Sequence, residues 1–297
     1  MRFITSKGGI AVADTPLPSS FDALLPAEMT ERAIRIGTEK ALLPAATLLL
    51  LATLAGAFMG FGSLFSLTVI TGTEPVVPYG LAKLLSGFAF SLGPILIVVG
   101  GAELFTGNNL MVIAWASRKI RTTQVLRAWL LVYAGNAVGA LLVAFVALIA
   151  QDYMHAGGAL GRIAMIEASA KASLSFSQAF IHGVAGNALI CLAVWLSYSA
   201  RSTTDKILAV VPPITAFVAT GFEHSVANMF LLPFAMLVRL TAPDQFWAAA
   251  NLDPGIVAAI SPAAIATNIG AVTLGNIVGG VAVGIAYWSI YHRRSSP

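Results

Sequence analysis

Long runs of apolar residues dominate the chain, and six of them are long enough to cross a membrane as helices. They cover residues 41–67, 79–117, 124–150, 174–197, 207–239 and 266–290. A helical crossing needs about 20 mostly apolar residues. The runs are also too continuous in hydrophobicity for the alternating strands of a membrane β-barrel. The pattern therefore predicts an all-α membrane protein with six transmembrane helices.

The segment before the first run has a different character. Residues 1–40 show no pattern of a cleavable secretory signal. Within them, the mixed charged and apolar positions of Pro26–Lys40 are typical of a short amphipathic helix at the membrane surface, although a solvated lead-in helix fits equally well. We therefore predict a cytoplasmic N-terminal segment over 1–40, a six-helix transmembrane domain over 41–292, and a short cytoplasmic tail over 293–297.

Composition and charge agree with this interpretation. Hydrophobic residues make up 58% of the chain and charged residues 10%, whereas a soluble domain carries roughly a quarter charged residues. With six spans, most of the 17 Lys and Arg lie on one side of the membrane. Positive residues concentrate on the cytoplasmic side, so both termini are predicted to be cytoplasmic. The net positive charge is thus a topology signal and gives no support to nucleic-acid binding.

Two of the apolar runs are interrupted by a similar polar cluster. Residues 101–108 read GAELFTGN and residues 221–228 read GFEHSVAN, so both match G-x-E-x-x-x-x-N. The third and sixth runs also share G-N-x-V-G, at 135–139 and 275–279. Members of each pair are three spans apart, so the two halves run in opposite directions. The sequence predicts two inverted three-helix repeats with helices 2 and 5 broken, and such breaks mark transport sites near the bilayer midplane.

The ionisable residues deepest in these runs are Glu103, Glu223 and His224, and charge inside a membrane is costly enough to indicate function. For the two glutamates we favour a structural role over solute contact, in which each carboxylate caps the amides that begin the following helix. His224 differs because its repeat position is Leu104. A neutral imidazole can donate to an anion and a charged one can transfer a proton, so we favour a functional role over a packed histidine.

Further polar residues surround the predicted breaks. Thr106, Asn187 and Asn228 are candidates to line the same cavity, although amides inside membranes commonly join helices. Lys171 precedes the fourth run and either draws anions into an external vestibule or extends to the interface, and the sequence leaves both open. Four scattered histidines and the single Cys191 form no metal-ligand set, and no nucleotide motif is present, so no metal or cofactor is predicted.

Several segments resemble the formate/nitrite transporter family. They are Phe90–Gly93, Gly101–Thr106, Gly221–Met229 and Gly275–Gly280. The likeness extends from about residue 30 to 292, and Cys191–Trp195 makes it closest to the bacterial formate channel branch. The resemblance implies a six-helix, aquaporin-like protomer that forms a homopentamer in the bacterial inner membrane among its lipids. Each protomer would carry one pore for formate or, alternatively, for nitrite, hydrosulfide or a short monocarboxylate.

The resemblance also implies residue roles. The substrate pathway falls on His224, Thr106, Asn187, Asn228 and Lys171. An outer apolar constriction matches Leu104, Phe105 and Ile190, and an inner one matches Phe90, Pro94 and Phe217. The formate channels compared carry leucine where this chain has Pro94, so the inner constriction is expected to differ.

A proton-coupled mechanism follows from the implied pathway. A bare anion is heavily penalised in dry apolar surroundings, whereas a neutral acid crosses far more cheaply. Lys171 would concentrate the anion, and proton transfer involving His224 would neutralise it between the constrictions. The chain is therefore expected to be a transporter of small anions together with protons, and not an enzyme.

Two other classes fit less well. A neutral-solute channel of the aquaporin type would carry paired Asn-Pro-Ala caps at its breaks, and this sequence has none there. A haem-binding membrane anchor of a redox enzyme would need paired histidines on facing spans, but only His182 and His224 lie within the predicted spans.

Overall fold

The computed structural model describes residues 22–74 and 76–292, and all regular elements in those ranges are helical. Two of them are single 3-10 turns, at 109–111 and 152–154. The α-helices are α1 (Pro26–Leu42), α2 (Ala45–Ile70), α3 (Tyr79–Phe90), α4 (Leu92–Gly100), α5 (Phe105–Asn108), α6 (Val112–Ala116), α7 (Thr122–Ile149), α8 (Ala159–Ala172), α9 (Phe176–Ser199), α10 (Thr203–Ala219), α11 (Ser225–Thr241), α12 (Asp244–Ala250), α13 (Pro254–Ala259) and α14 (Pro262–Tyr291). The predicted tail over 293–297 and the first 21 residues of the N-terminal segment lie outside the described ranges.

Long apolar helices make up most of the described chain. Five stretches are long and apolar enough to cross a membrane, namely α2, α3 with α4, α7, α9 and α14. A sixth is reached if α11 and α12 are counted as one span, although the chain bends by 118° between them. The prediction of an all-helical protein with multiple apolar spans is therefore confirmed.

The polar clusters identified in the sequence fall between helices. Residues 101–104 separate α4 from α5, and residues 220–224 separate α10 from α11. Gly101 and Gly221 end the preceding helices with φ angles of 78° and 71°. Only glycine adopts this left-handed conformation without a steric cost, which explains the first position of the G-x-E pattern.

Two helix pairs are in close backbone contact through glycine. A Cβ atom added to Gly139 of α7 would lie 1.9 Å from the Thr53 carbonyl oxygen of α2. A Cβ added to Gly279 of α14 would lie 2.1 Å from the Val184 carbonyl oxygen of α9. Small residues allow such close approach between membrane helices. The G-N-x-V-G segments therefore lie where these helices pack most closely.

The amphipathic segment before the first span forms α1, and this helix packs on the bundle. Its apolar face buries Met29, Ala33 and Ile34 in a cluster that includes Ile113 and Trp195. Its polar side is fixed as well, because the Arg32 guanidinium donates to the carbonyls of Tyr198 and Ala200 at 2.9 and 3.1 Å. The helix is therefore attached to the end of α9.

Replacing Gly139 with alanine should destabilise the protein, because the new methyl group has no room against the α2 backbone. We expect a loss of about 1–3 kcal/mol, the usual cost of overpacking. Gly270→Ala in α14 is the matched control, since nothing lies within 4 Å of its added Cβ. Thermal unfolding in detergent should show a clear loss for Gly139→Ala and none for Gly270→Ala. Equal stability of the two variants would contradict the packing assignment.

Candidate functional site

Two cavities lie at successive positions along α10. The first, of about 190 Å3, is lined by the early part of α10 and by α4, including Lys206, Ile214 and Pro94. The second, of about 110 Å3, is lined by the end of α10 and by α3, including Phe217 and Phe90. Because α10 passes from one cavity to the other, and α3 is followed directly by α4, the cavities open toward opposite ends of the bundle.

A hydrogen-bonded pair of buried side chains lies between the cavities. His224 Nε2 is 2.8 Å from Thr106 Oγ1, and both residues are at most 1% exposed. His224 begins α11 after the second break and lines the second cavity. Thr106 belongs to α5, directly after the first break. The two interruptions therefore bring together the residues that were predicted to share a pathway.

The backbone fixes the orientation and the hydrogen position of this imidazole. The Ala227 N–H donates to His224 Nδ1 at 3.1 Å, so Nδ1 acts as an acceptor. In the neutral ring the hydrogen is then on Nε2, which donates to Thr106 Oγ1. The threonine hydroxyl hydrogen remains available for another acceptor. A proton added at Nδ1 would point at the Ala227 N–H, so the contact favours the neutral ring.

Each buried glutamate is paired with a lysine and an asparagine. Glu103 lies 3.0 Å from Lys40 Nζ and accepts from Asn108 Nδ2 at 2.7 Å. On the other side of the bundle, the Glu223 carboxylate repeats this arrangement. It lies 2.6 Å from Lys171 Nζ and accepts from Asn228 Nδ2 at 2.5 Å. These contacts explain the spacing of Glu and Asn in the repeated pattern, because the asparagine closes the loop onto the carboxylate.

The prediction that the glutamates cap helix amides is wrong. The first N–H groups of α5 and α11 donate to Asn136 Oδ1 and Asn276 Oδ1, at 2.8 and 2.9 Å. The same asparagines donate their Nδ2 groups to the carbonyls of Glu103 and Glu223. Neighbouring spans thus satisfy the interrupted backbone, which leaves both carboxylates for the lysines.

Asn187 and Asn228 differ in what they contact. Asn187 donates to the Thr106 carbonyl at 3.3 Å and to the Asn276 carbonyl at 2.6 Å, and it lines neither cavity. It therefore positions the loop that carries Thr106. Asn228 lines the second cavity, and its buried Oδ1 has no hydrogen-bond partner among the described residues. That oxygen can accept from a donor inside the cavity.

The two apolar constrictions were assigned to the wrong sides. Phe90 and Phe217, whose ring centroids are 6.0 Å apart, line the cavity that contains Lys171. Leu104 and Ile190 line the cavity that contains Lys40. The course of α10 explains the exchange, because its first turns lie at the Lys40 end and its last turns at the Lys171 end. The phenylalanines therefore lie on the Lys171 side, and Leu104 and Ile190 lie on the Lys40 side.

Two residues assigned to constrictions also occupy other positions. The Phe105 ring packs against Tyr133 and Trp129, at centroid distances of 4.9 and 6.3 Å, and lines neither cavity. It is therefore a packing residue. Pro94 lines the Lys40 cavity with Leu104, away from the two phenylalanines. Since proline has no N–H, it leaves the carbonyl four residues earlier without its helical donor, and α3 and α4 divide at Ser91 just before it.

Four polar residues around the two breaks were not predicted from the sequence. Asn136 and Asn276 were visible as the shared asparagine of the G-N-x-V-G segments, but they were used only as a mark of the repeat. Asn108 ends the first repeated pattern and was given no role. Lys40 was counted only as a topology charge, because Glu103 lies far along the chain. The repeat offered a signal for it, since Lys40 stands just before the first apolar run as Lys171 stands just before the fourth.

Two cavities that open toward opposite ends of a bundle of apolar helices are typical of a membrane transport protein. Comparison with known proteins specifies the family. A family model described as formate/nitrite transporter matches residues 27–289. The chain belongs to the formate/nitrite transporter family. The prediction of a transporter rather than an enzyme is thereby confirmed.

Individual relatives agree with this assignment. Formate channel FocA of Escherichia coli strain K12 is 42% identical over 285 residues, which cover 95% of this chain and 98% of the relative. Formate channel FocA of Haemophilus influenzae is 38% identical over 265 residues, with 89% and 93% covered. A solved structure described as a pentameric formate channel with formate bound matches with a TM-score of 0.78 and 44% identity, covering 83% of this chain and 97% of that one.

Removing Lys40 should destabilise the protein, because it leaves the buried Glu103 charge without its cation. We expect Lys40→Met to lose up to about 3 kcal/mol, since breaking one side of a buried pair is costly. The double variant Lys40→Met/Glu103→Gln should recover most of this loss, because a neutral glutamine still accepts from Asn108. Thermal unfolding of both variants measures the coupling. If the double variant is as unstable as Lys40→Met alone, packing of the lysine stem accounts for the effect and the ion pair does not.

Proposed function

We propose that this protein is a proton-coupled channel for small monovalent anions, with formate as its principal substrate and one pore in each protomer of a homopentamer. The relatives named as formate channels and the pentameric structure with bound formate support the substrate and the assembly. The His224–Thr106 pair between the two cavities is the observation that carries the proposed mechanism. Nitrite is the second candidate, because the matching family model includes it.

We further propose six membrane crossings arranged as two inverted three-helix halves of aquaporin-like type. In this arrangement α3 to α6 form the broken second span and α10 with α11 the broken fifth. The matched contacts at the two breaks support it, since the Glu103 set repeats the Glu223 set and Asn136 repeats Asn276. The transmembrane channel domain then covers 41–292, between a segment over 1–40 and a tail over 293–297. Both termini are cytoplasmic, and the protein lies in the bacterial inner membrane.

Each cavity offers a positive charge to an arriving anion. Lys171 and Lys40 keep 21% and 24% of their side chains exposed, while their glutamate partners are nearly buried. The lysine ammonium is therefore the group of each pair that meets the cavity water. Since the pair is nearly neutral overall, the attraction is local and acts at the cavity mouth. Anions then gather at both ends without being held tightly.

Beyond each lysine, apolar side chains separate the anion from the His224–Thr106 pair. On the Lys171 side the barrier is formed by Phe90 and Phe217, and on the Lys40 side by Leu104 and Ile190. A carboxylate loses its water there and cannot recover an equal number of hydrogen bonds, so its ionised form is disfavoured. Such surroundings favour the neutral form of an acid. The apolar barriers therefore select for passage as formic acid.

The central pair stabilises the solute where it becomes neutral. The Thr106 hydroxyl hydrogen is free to bond a formate oxygen, because His224 Nε2–H already donates to Thr106 Oγ1. A proton delivered through the cavity water as hydronium then adds to the second carboxylate oxygen, which gives formic acid and leaves a water molecule. The unpaired Asn228 Oδ1 can accept the resulting O–H in the Lys171 cavity. His224 orients the donor in this scheme and carries a proton itself only when its contact with Ala227 opens.

Replacing Thr106 with valine should reduce formate flux, because valine keeps the shape but lacks the hydroxyl that bonds the anion. A hydrogen bond to a charged group contributes about 1.5–3 kcal/mol, so we expect a decrease of about 10- to 100-fold. Thr106→Ser is the matched control and should retain most of the flux. Uptake of labelled formate and of nitrite into proteoliposomes measures both variants and the substrate preference.

Two results would contradict the proposal. If the wild-type protein carries nitrite much faster than formate, nitrite and not formate is its principal substrate. A Thr106→Val variant with full formate flux would show that the hydroxyl does not contact the solute.

A further inference from the structure

A basic cavity, separate from the transport pathway, lies where α6 meets α7. It is an open depression of about 1030 Å3 beside the linker that joins these helices and the end of α14. Three cations line it, Arg118, Lys119 and Arg121. None of them forms an ion pair with another described residue, and no described carboxylate lines the cavity. The site therefore presents unbalanced positive charge.

The cavity is built on a fixed framework. The Trp115 indole donates to Thr122 Oγ1 and the Trp288 indole donates to Ser117 Oγ, both at 3.0 Å. Backbone N–H groups of the linker bond back to α6, because Arg118 donates to the Trp115 carbonyl at 2.9 Å. The cations therefore project from a linker that is joined to both α6 and α14. Their side chains are exposed, so their charges are open to a ligand.

The position of the cavity indicates the class of ligand. The linker joins the ends of two apolar helices, which places it at the boundary of the membrane. Trp115, which is 44% exposed, is a side chain typical of that boundary. Directly beyond it, Leu126 and Leu130 lie one turn apart on α7 and are 57% and 70% exposed. A phospholipid whose phosphate lies in the cavity could thus extend its acyl chains along the apolar face of α7.

We propose that this cavity binds the headgroup of an anionic phospholipid. Basic cavities between transmembrane helices on the cytoplasmic side are suited to such headgroups, and this linker carries part of the positive charge that predicts a cytoplasmic location. Phosphate oxygens would accept from Arg118, Lys119 and Arg121, and the two indoles would flank the glycerol region. The site is distinct from the transport pathway, which lies around His224 and shares no lining residue with it.

Lipid binding to the purified protein tests this proposal. Native mass spectrometry with added phosphatidylglycerol or phosphatidylcholine should show a preference for the anionic lipid. The variant Arg118→Gln/Lys119→Gln/Arg121→Gln should reduce that preference at least about tenfold. The variant Arg35→Gln/Arg162→Gln/Arg201→Gln removes the same charge elsewhere and should leave it unchanged. Arg118→Lys/Arg121→Lys should also keep it, which separates loss of charge from misfolding.

Several results would overturn the proposal. If the Arg118→Gln/Lys119→Gln/Arg121→Gln variant keeps its full preference for the anionic lipid, the cavity does not bind the lipid headgroup. An equal loss in the control variant would show that overall charge, and not this cavity, attracts the lipid. Displacement of the lipid by inorganic phosphate would indicate a site for a soluble phosphate. A changed number of subunits in the neutralised variant, with lipid binding intact, would show that the face contacts a second copy of the chain.

Discussion

The structure depends on satisfying charge and broken backbone where water cannot reach them. Two carboxylates and two interrupted helices lie deep within the helical bundle, and each unpaired group there would cost several kcal/mol. Glu103 and Glu223 are held by Lys40 and Lys171, and the amides after each break are held by Asn136 and Asn276. Because neighbouring helices supply these partners, the breaks can bring His224 and Thr106 together at the centre of the protein.

The glycine contacts follow from the same requirement. Asn136 can reach the Glu103 carbonyl only if α7 lies close to α2, and Gly139 permits that approach. In the corresponding pair, α14 and α9 come into close backbone contact at Gly279. The glycines and the asparagine of G-N-x-V-G thus serve one purpose. They set helix spacing so that the broken backbone finds its partners.

The two breaks differ at the position that follows the glutamate. The position of Leu104 in the first break is occupied by His224 in the second, and the imidazole reaches Thr106 across the centre. A capping bond from the Ala227 N–H fixes the ring so that Nε2 faces the threonine. The contacts that support the breaks are duplicated, whereas the His224–Thr106 contact occurs once.

Apolar runs and repeated motifs were sufficient to predict an all-helical protein with several apolar spans and the polar segments that fall between helices. They also singled out His224 and Thr106, which the structure brings into contact. These features are local in sequence. The partners of the glutamates were not predicted, because Lys40 and Glu103 meet only through the packing of α1 on the bundle. The assignment of each apolar constriction to the Lys171 side or the Lys40 side was wrong for a similar reason. Phe217 and Leu104 are placed by the course of α10 and α4, and no residue pattern records which cavity a given turn faces.

Proton movement during formate transport tests the account most directly. Proteoliposomes that contain a pH indicator should acidify inside as labelled formate enters, with about one proton for each formate, as expected for passage of the neutral acid. His224→Asn should abolish this coupled uptake, because it removes the ring that orients Thr106. Formate entry without acidification in the wild-type protein, driven instead by membrane potential, would show that the bare anion crosses. Undiminished coupled uptake in His224→Asn would also contradict the account.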